Sequence, residues 1–337
     1  MTWLFSRRVD LAVFLAPALV ALALCALPVA DTPEWTWITA VLLVDVAHVW
    51  ATGFRVYLDS DELRRRPALY ALVPIGGFVA GVLLFTQGEA VFWRVLAYVA
   101  VFHFVRQQAG WVLLYRARAG ERDRLGRALD LGAVYAATVY PLLWWHAHLP
   151  RRFNWFLPGD FAALPAALAS AALPAYVALL AAYAGRAAWR YARRRGTPGK
   201  DILVATTAAC WYAGIVAQNS DYAFTVTNVL IHGIPYMALV YWYGRRRAAQ
   251  EDGRGVWRLF RRGPAAMLSL LWAAAFVEEL LWDRTIWHER PWLFGGPIDL
   301  GALRALLVPL LALPQVTHYI LDGFVWRRRQ NPRFDLI

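Results

Sequence analysis

Runs of roughly 20 mainly apolar residues, the length that crosses the hydrocarbon of a bilayer, recur along this chain between short polar connections. Ten such segments stand out, at about 9–30, 35–56, 68–87, 90–115, 128–149, 162–190, 201–218, 222–243, 264–282 and 301–326. Several contain proline: Pro17, Pro74, Pro141, Pro174, Pro235, Pro309 and Pro314. Inside a water-exposed helix each would break the ladder, whereas membrane helices tolerate them because neighbours satisfy the freed backbone groups. The pattern predicts an all-α, polytopic integral membrane helix bundle of about ten transmembrane helices, forming a single membrane domain over 1–337. The first segment is too long for a cleaved signal sequence, and Pro28 is badly placed for cleavage.

The polar connections divide into two kinds. Alternate loops are crowded with arginine: Arg7 and Arg8; Arg64, Arg65 and Arg66; Arg116 to Arg127; Arg186 to Lys200; Arg245 to Arg262; and Arg327, Arg328, Arg329 and Arg333. The intervening loops are poor in basic charge, Arg151 and Arg152 being the main exception. Basic loops stay on the cytoplasmic side, so both termini are expected to be cytoplasmic and the protein to be multi-pass in the cytoplasmic (inner) membrane. These arginines are expected to form a solvated surface facing anionic lipid headgroups. Tryptophans cluster near both inferred boundaries, as indole favours the headgroup level. Gly77 and Gly81, four apart in the third segment, read as helix-contact positions.

Composition agrees. Of 337 residues, 60% are hydrophobic and 17% charged, with a mean hydropathy of +0.40. That excludes a disordered chain and an ordinary water-soluble globule. The net charge of +12 would suit a nucleic-acid partner if it formed one patch; distributed between apolar segments, it points to a lipid bilayer and no nucleic acid. Cys25 and Cys210 are too few for a disulfide scaffold or a cysteine zinc module.

Against this background four histidines are out of place. His48, His103, His232 and His318 fall inside segments 2, 4, 8 and 10, which in a ten-span topology all run outside to inside. Counting residues to the next basic loop places each imidazole about 10–20 Å from the inner boundary. Each has a polar neighbour one turn away: Asp45 before His48, Gln107 after His103, Asn228 before His232 and Asp322 after His318. Metal-bound histidine commonly donates its second ring N–H to such a group. The expectation is therefore one cavity in the inner half of the membrane. There the four histidines bind a metal, Asp45 and Asp322 serve as ligands or catalytic carboxylates, and Gln107 and Asn228 orient rings or bind cofactor. Iron or zinc suits these donors; a haem b between two histidines is the variant. The corresponding function is a membrane metalloenzyme, redox in character, acting on a lipophilic small-molecule substrate. The alternatives are a haem b electron-transfer protein, and a transporter or channel whose polar groups line a proton or solute path.

Arg106, one turn after His103, is expected to pair with Asp45 or Asp322, or to hold an anionic group at the catalytic site. Segments 2 to 4 and 8 to 10 also carry similar polar pairs, an echo that would suit a parallel internal repeat. His146 and His148 read as a polar cap at the outer end of segment 5. Glu278-Glu279 followed by His318 and Asp322 is similar to part of the pattern of intramembrane CAAX-type proteases. The sequence departs from it, with Arg284 five rather than four residues after Glu279 and no histidine on an intervening helix. The multi-histidine boxes of membrane desaturases, a phosphate loop and a Gly-x-Ser-x-Gly elbow are absent.

Overall fold

A computed structural model describes residues 2–29, 32–250, 255–327, 331 and 333. Arg254, Arg328 and Arg329, three of the basic loop positions, lie outside these. Among the described residues the structure is helical, with no strand. Helices occur at all ten expected segments: α1 (Arg7–Cys25), α2 (Glu34–Arg55), α3 (Pro67–Thr86), α4 (Glu89–Arg118), α5 (Arg124–Ala147), α6 (Ala166–Ala192), α7 (198–217), α8 (Asp221–Gln250), α9 (Pro264–Trp287) and α10 (Gly301–Val325). Seven of them, α1, α2, α3, α6, α8, α9 and α10, are long and apolar enough to cross a membrane. In α4 the apolar run is interrupted by His103, Arg106, Gln107 and Gln108, and in α5 and α7 by charges in the first turns.

The starts of these helices follow local chemistry. Pro67, Pro198 and Pro264 occupy first-turn positions, where a missing N–H costs nothing. The Ser6 hydroxyl and the Asp123 carboxylate accept first-turn N–H groups of α1 and α5. Over Trp37–Val46, α2 is wound with wide i→i+5 turns before it returns to α-geometry at Ala47.

The chain forms two compact units. The first comprises Met1–Ala40 and Val101–Pro235, the second Val41–Ala100 and Tyr236–Ile337. In the first, α5 packs along α6, and α7 packs on α1 and α5. Asp10 accepts the N–H groups of Leu4 and Phe5 and the hydroxyl of Tyr115, tying the N-terminal turn to α4.

In the second unit α9 and α10 pack on the second half of α2, and α3 packs on α10. The last contact runs over the expected glycines. A Cβ on Gly77 would lie 3.0 Å from Val316 Cγ1, and one on Gly81 2.9 Å from Pro309 Cβ. The absence of side chains there lets the two backbones approach.

Part of the basic charge is buried among acidic side chains. In the first unit Asp130, fully buried, accepts from Arg116, from Lys200 Nζ at 2.7 Å and from Arg186 at 2.9 Å. Glu121 accepts from Lys200, Arg116 and Arg190 at 2.7–2.9 Å. In the second, Glu62 holds Arg55 at 2.9 Å together with Arg65 and the Tyr70 hydroxyl, and Arg247 reaches Asp61 at 2.9 Å. Arg55, Arg116, Lys200 and Arg247 are all buried. A cation removed from water keeps its charge only beside a counter-charge, and each of these four has an acidic partner.

Candidate metal centre

The histidines form two pairs of the same kind. In the second unit His48 on α2 and His318 on α10 meet edge to face, with ring centroids 4.8 Å apart and planes at 84°. In the first unit His103 on α4 and His232 on α8 do the same, at 5.1 Å and 86°. All four rings are buried, none more than 4% exposed. One ring nitrogen of each lies within 4.8 Å of one from every other. Four buried imidazoles this close can bind a metal ion. The pairs join α2 with α10 and α4 with α8.

Each pair has its own surroundings. His232 stacks flat on Phe104, centroids 3.5 Å apart, and Phe104 packs against Trp155. Gln107 Nε2 donates to the backbone carbonyl of His232 at 3.4 Å, so it braces α8 rather than a ring. Asn228 is buried, and its Nδ2 donates to the Phe224 carbonyl and to Thr227 Oγ1. The carbonyl oxygens of both amides, Gln107 Oε1 and Asn228 Oδ1, are buried acceptors without a hydrogen-bond partner among the described residues.

In the other pair Asp45 Oδ1 lies 3.7 Å from His48 Nδ1, an ion-pair distance if the ring is protonated. His318 Nδ1 lies 2.7 Å from Thr52 Oγ1. Thr52 Oγ1 is 2.9 Å from the Tyr236 hydroxyl, which donates to Asp322 Oδ1 at 2.6 Å. Trp326 Nε1 donates to the same oxygen at 3.0 Å. Asp322 therefore reaches His318 through two intervening hydroxyls.

Sequence reading missed Thr52 and Tyr236, although a signal existed. Each histidine has a polar residue four positions later: Thr52, Gln107, Tyr236 and Asp322. Threonine and tyrosine are common enough in membrane helices to pass unnoticed beside carboxylates and amides.

The other singled-out residues lie differently. Arg106 is exposed and donates to the Tyr135 hydroxyl on α5. His146 and His148 donate through Nδ1 to the carbonyls of Leu142 and Trp144, at 2.6 and 2.7 Å, within the last turns of α5. Glu278 accepts from Trp50 Nε1 at 2.6 Å and from Gln315 Nε2.

No family model, curated protein or solved structure matches the chain.

Proposed function

We propose that His48, His103, His232 and His318 together hold one metal ion, and that the protein is a multi-pass membrane metalloenzyme of redox type acting on a lipid-soluble substrate. The observation that carries this reading is the closeness of four buried ring nitrogens, all within 4.8 Å of one another. Metal–nitrogen distances of about 2.0–2.2 Å draw ligand atoms to roughly 3–4 Å apart, a small contraction from what is seen. The donor set fits a metal: four imidazoles, with carboxylates near two of them. Such a set suits iron and also zinc, and a bound ion would supply Lewis acidity or oxygen activation. A single ion suits the edge-to-face ring contacts better than haem b, whose macrocycle must pass between its two axial histidines.

The chain's own residues contribute the rest. Burial among aromatic rings keeps water from the imidazoles, and Phe104 fixes the His232 plane. An apolar substrate partitioned in the bilayer needs no aqueous entrance. The remaining helices α4, α5 and α7 complete a ten-span topology with both termini in the cytoplasm, placing the arginine clusters against anionic headgroups of the cytoplasmic membrane.

The test is metal analysis and an optical spectrum of detergent-purified full-length protein. About one iron per chain without a Soret band is the expected result. A Soret band replaces the ion with haem; zinc filling the site removes the redox assignment. A chain purified from metal-replete cells that holds no metal and takes up none would overturn the reading in favour of a transport path.

A further inference from the structure

We infer that Thr52, Tyr236 and Asp322 form a hydrogen-bonded relay that sets the tautomer of His318, placing its proton on Nδ1 and leaving Nε2 as the metal-binding atom. This rests on the metal reading above and adds the residues that make one ligand competent.

The direction of the chain follows from donor counting. Indole N–H is a donor only, so Asp322 Oδ1, 3.0 Å from Trp326 Nε1, accepts there. The Tyr236 hydroxyl, 2.6 Å away, converges on the same oxygen. Two donors on one oxygen mark it as a carboxylate acceptor, and the single Tyr236 proton is thereby committed to Asp322. At 2.9 Å the tyrosine oxygen must then accept, so Thr52 donates. With its only proton spent, Thr52 Oγ1 can only accept from His318 Nδ1 at 2.7 Å. A neutral imidazole protonated on Nδ1 carries its lone pair on Nε2.

The relay is buried except at its Asp322 end, which is half-buried. Tyr236 and His318 are fully buried and Thr52 is 3% exposed, so no exchange with bulk water is needed to maintain its polarity. Metal-ligating histidines ordinarily give their second N–H to a carboxylate, carbonyl or water, which fixes the ring and raises its basicity. Here the carboxylate acts at a distance, through two hydroxyls supplied by α2 and α8. Thr52, Tyr236 and Asp322 are positioning residues on this account. The reverse polarity, with the proton starting on Asp322, would place a hydrogen on Nε2 and block the ligand; the indole donor on Oδ1 works against it.

The test reads the tautomer directly, without metal. Full-length protein labelled with ¹⁵N-histidine and stripped of metal is studied by long-range ¹H–¹⁵N correlation, with His318 assigned by its loss in His318→Gln. The wild-type ring is expected in the Nδ1–H form, and Thr52→Ser, which keeps the hydroxyl, should retain it. Thr52→Val should release that preference. Tyr236→Phe should shift the ring furthest toward Nε2–H, because Thr52 then has no acceptor except Nδ1. A wild-type ring in the Nε2–H form, or one unmoved by both Thr52→Val and Tyr236→Phe, overturns the relay.

A parallel titration with Co(II) or Fe(II) separates this from the metal reading. Thr52→Val and Tyr236→Phe are expected to weaken binding by about 10–100-fold, the usual effect of removing such a partner, with recovery in Thr52→Ser. Equal affinity in all variants refutes the relay's role in binding while leaving the metal site standing. A wild-type protein that binds neither ion refutes the metal reading, and with it the ligand role of Nε2, whatever the tautomer.

Discussion

The imidazoles of His48 and His318 meet edge to face at 4.8 Å, although 270 positions separate them in sequence. His103 and His232 repeat that geometry at 5.1 Å. If the four act as one ligand set, they are interdependent in a way that separate hydrogen-bonding histidines are not. Substituting any one by glutamine should lower metal content by at least about tenfold, the low end of what even an outer partner of a ligand contributes. His146→Gln, whose ring is tied to the Leu142 carbonyl, should leave the metal content unchanged. A set of variants in which two histidines matter and two do not would reduce the site to one pair.

Arg106 calls for a different experiment from the one its sequence position suggests. Its guanidinium bonds the Tyr135 hydroxyl, so double-mutant cycles should show coupling of Arg106→Leu with Tyr135→Phe. The same cycles should show additivity with Asp45→Asn and Asp322→Asn. The coupling should be small, about 1 kcal/mol or less, because the partner is neutral and the arginine exposed. Thermal melts of the detergent-solubilised variants measure it.

The helix-packing glycines give a steric prediction. Gly81→Ala puts a Cβ 2.9 Å from Pro309 Cβ and 3.6 Å from its Cα, a rigid ring and backbone that cannot rotate away. Gly77→Ala meets the Val316 side chain at 3.0 Å, which has more freedom to yield. Both should destabilise, Gly81→Ala more, with overpacking costs of about 1–3 kcal/mol. Equal melting temperatures for the two variants would show that α3 and α10 separate more easily than the structure indicates.

What the sequence made legible follows from what each interaction needs. The helices were readable because bilayer-length apolar runs are a property of one segment, and so were the four histidines, as polar residues in the wrong place. Their closeness was arguable because a ten-span topology runs the four segments in one direction and puts the histidines at like depth. The pairing was not, because neighbour relations such as α2 with α10 depend on packing across the whole chain. Thr52 and Tyr236 escaped for the same reason: a hydroxyl's role depends on what stands opposite it. The acidic partners of the arginine clusters were hidden in short connections and in the first turns of α5. Asp130 pairs with residues 14, 56 and 70 positions away, distances over which charge pattern alone assigns nothing.

Those ionic clusters yield the pH prediction. Burial opposes ionisation of Glu121, but the bonds from Lys200 and Thr197 and the charge of Arg190 outweigh it and hold its carboxyl below the usual range. Glu62 behaves likewise: burial raises it, while Arg55, Arg65 and the Tyr70 hydroxyl bring it down further. A carboxylate whose folded pKa is depressed contributes stability that is fully present above its unfolded value of about 4.3 and lost as pH falls through the folded value. Thermal stability in detergent should therefore hold from neutral pH to about 5 and fall steeply below about 4.3. Glu121→Gln and Glu62→Gln should each flatten that acid limb while lowering stability at pH 7. Lys200→Met should be more damaging than either. It strips Nζ from Asp130 at 2.7 Å and from Glu121 at 2.8 Å, and breaking one side of a buried pair costs about 3–5 kcal/mol. Asp130 keeps Arg116 and Arg186 after that change, so adding Asp130→Asn to Lys200→Met should recover none of the loss. Melts across pH 3.5–7.5 measure all four variants; an acid limb unchanged in both glutamine variants would show that other carboxylates set the acid transition.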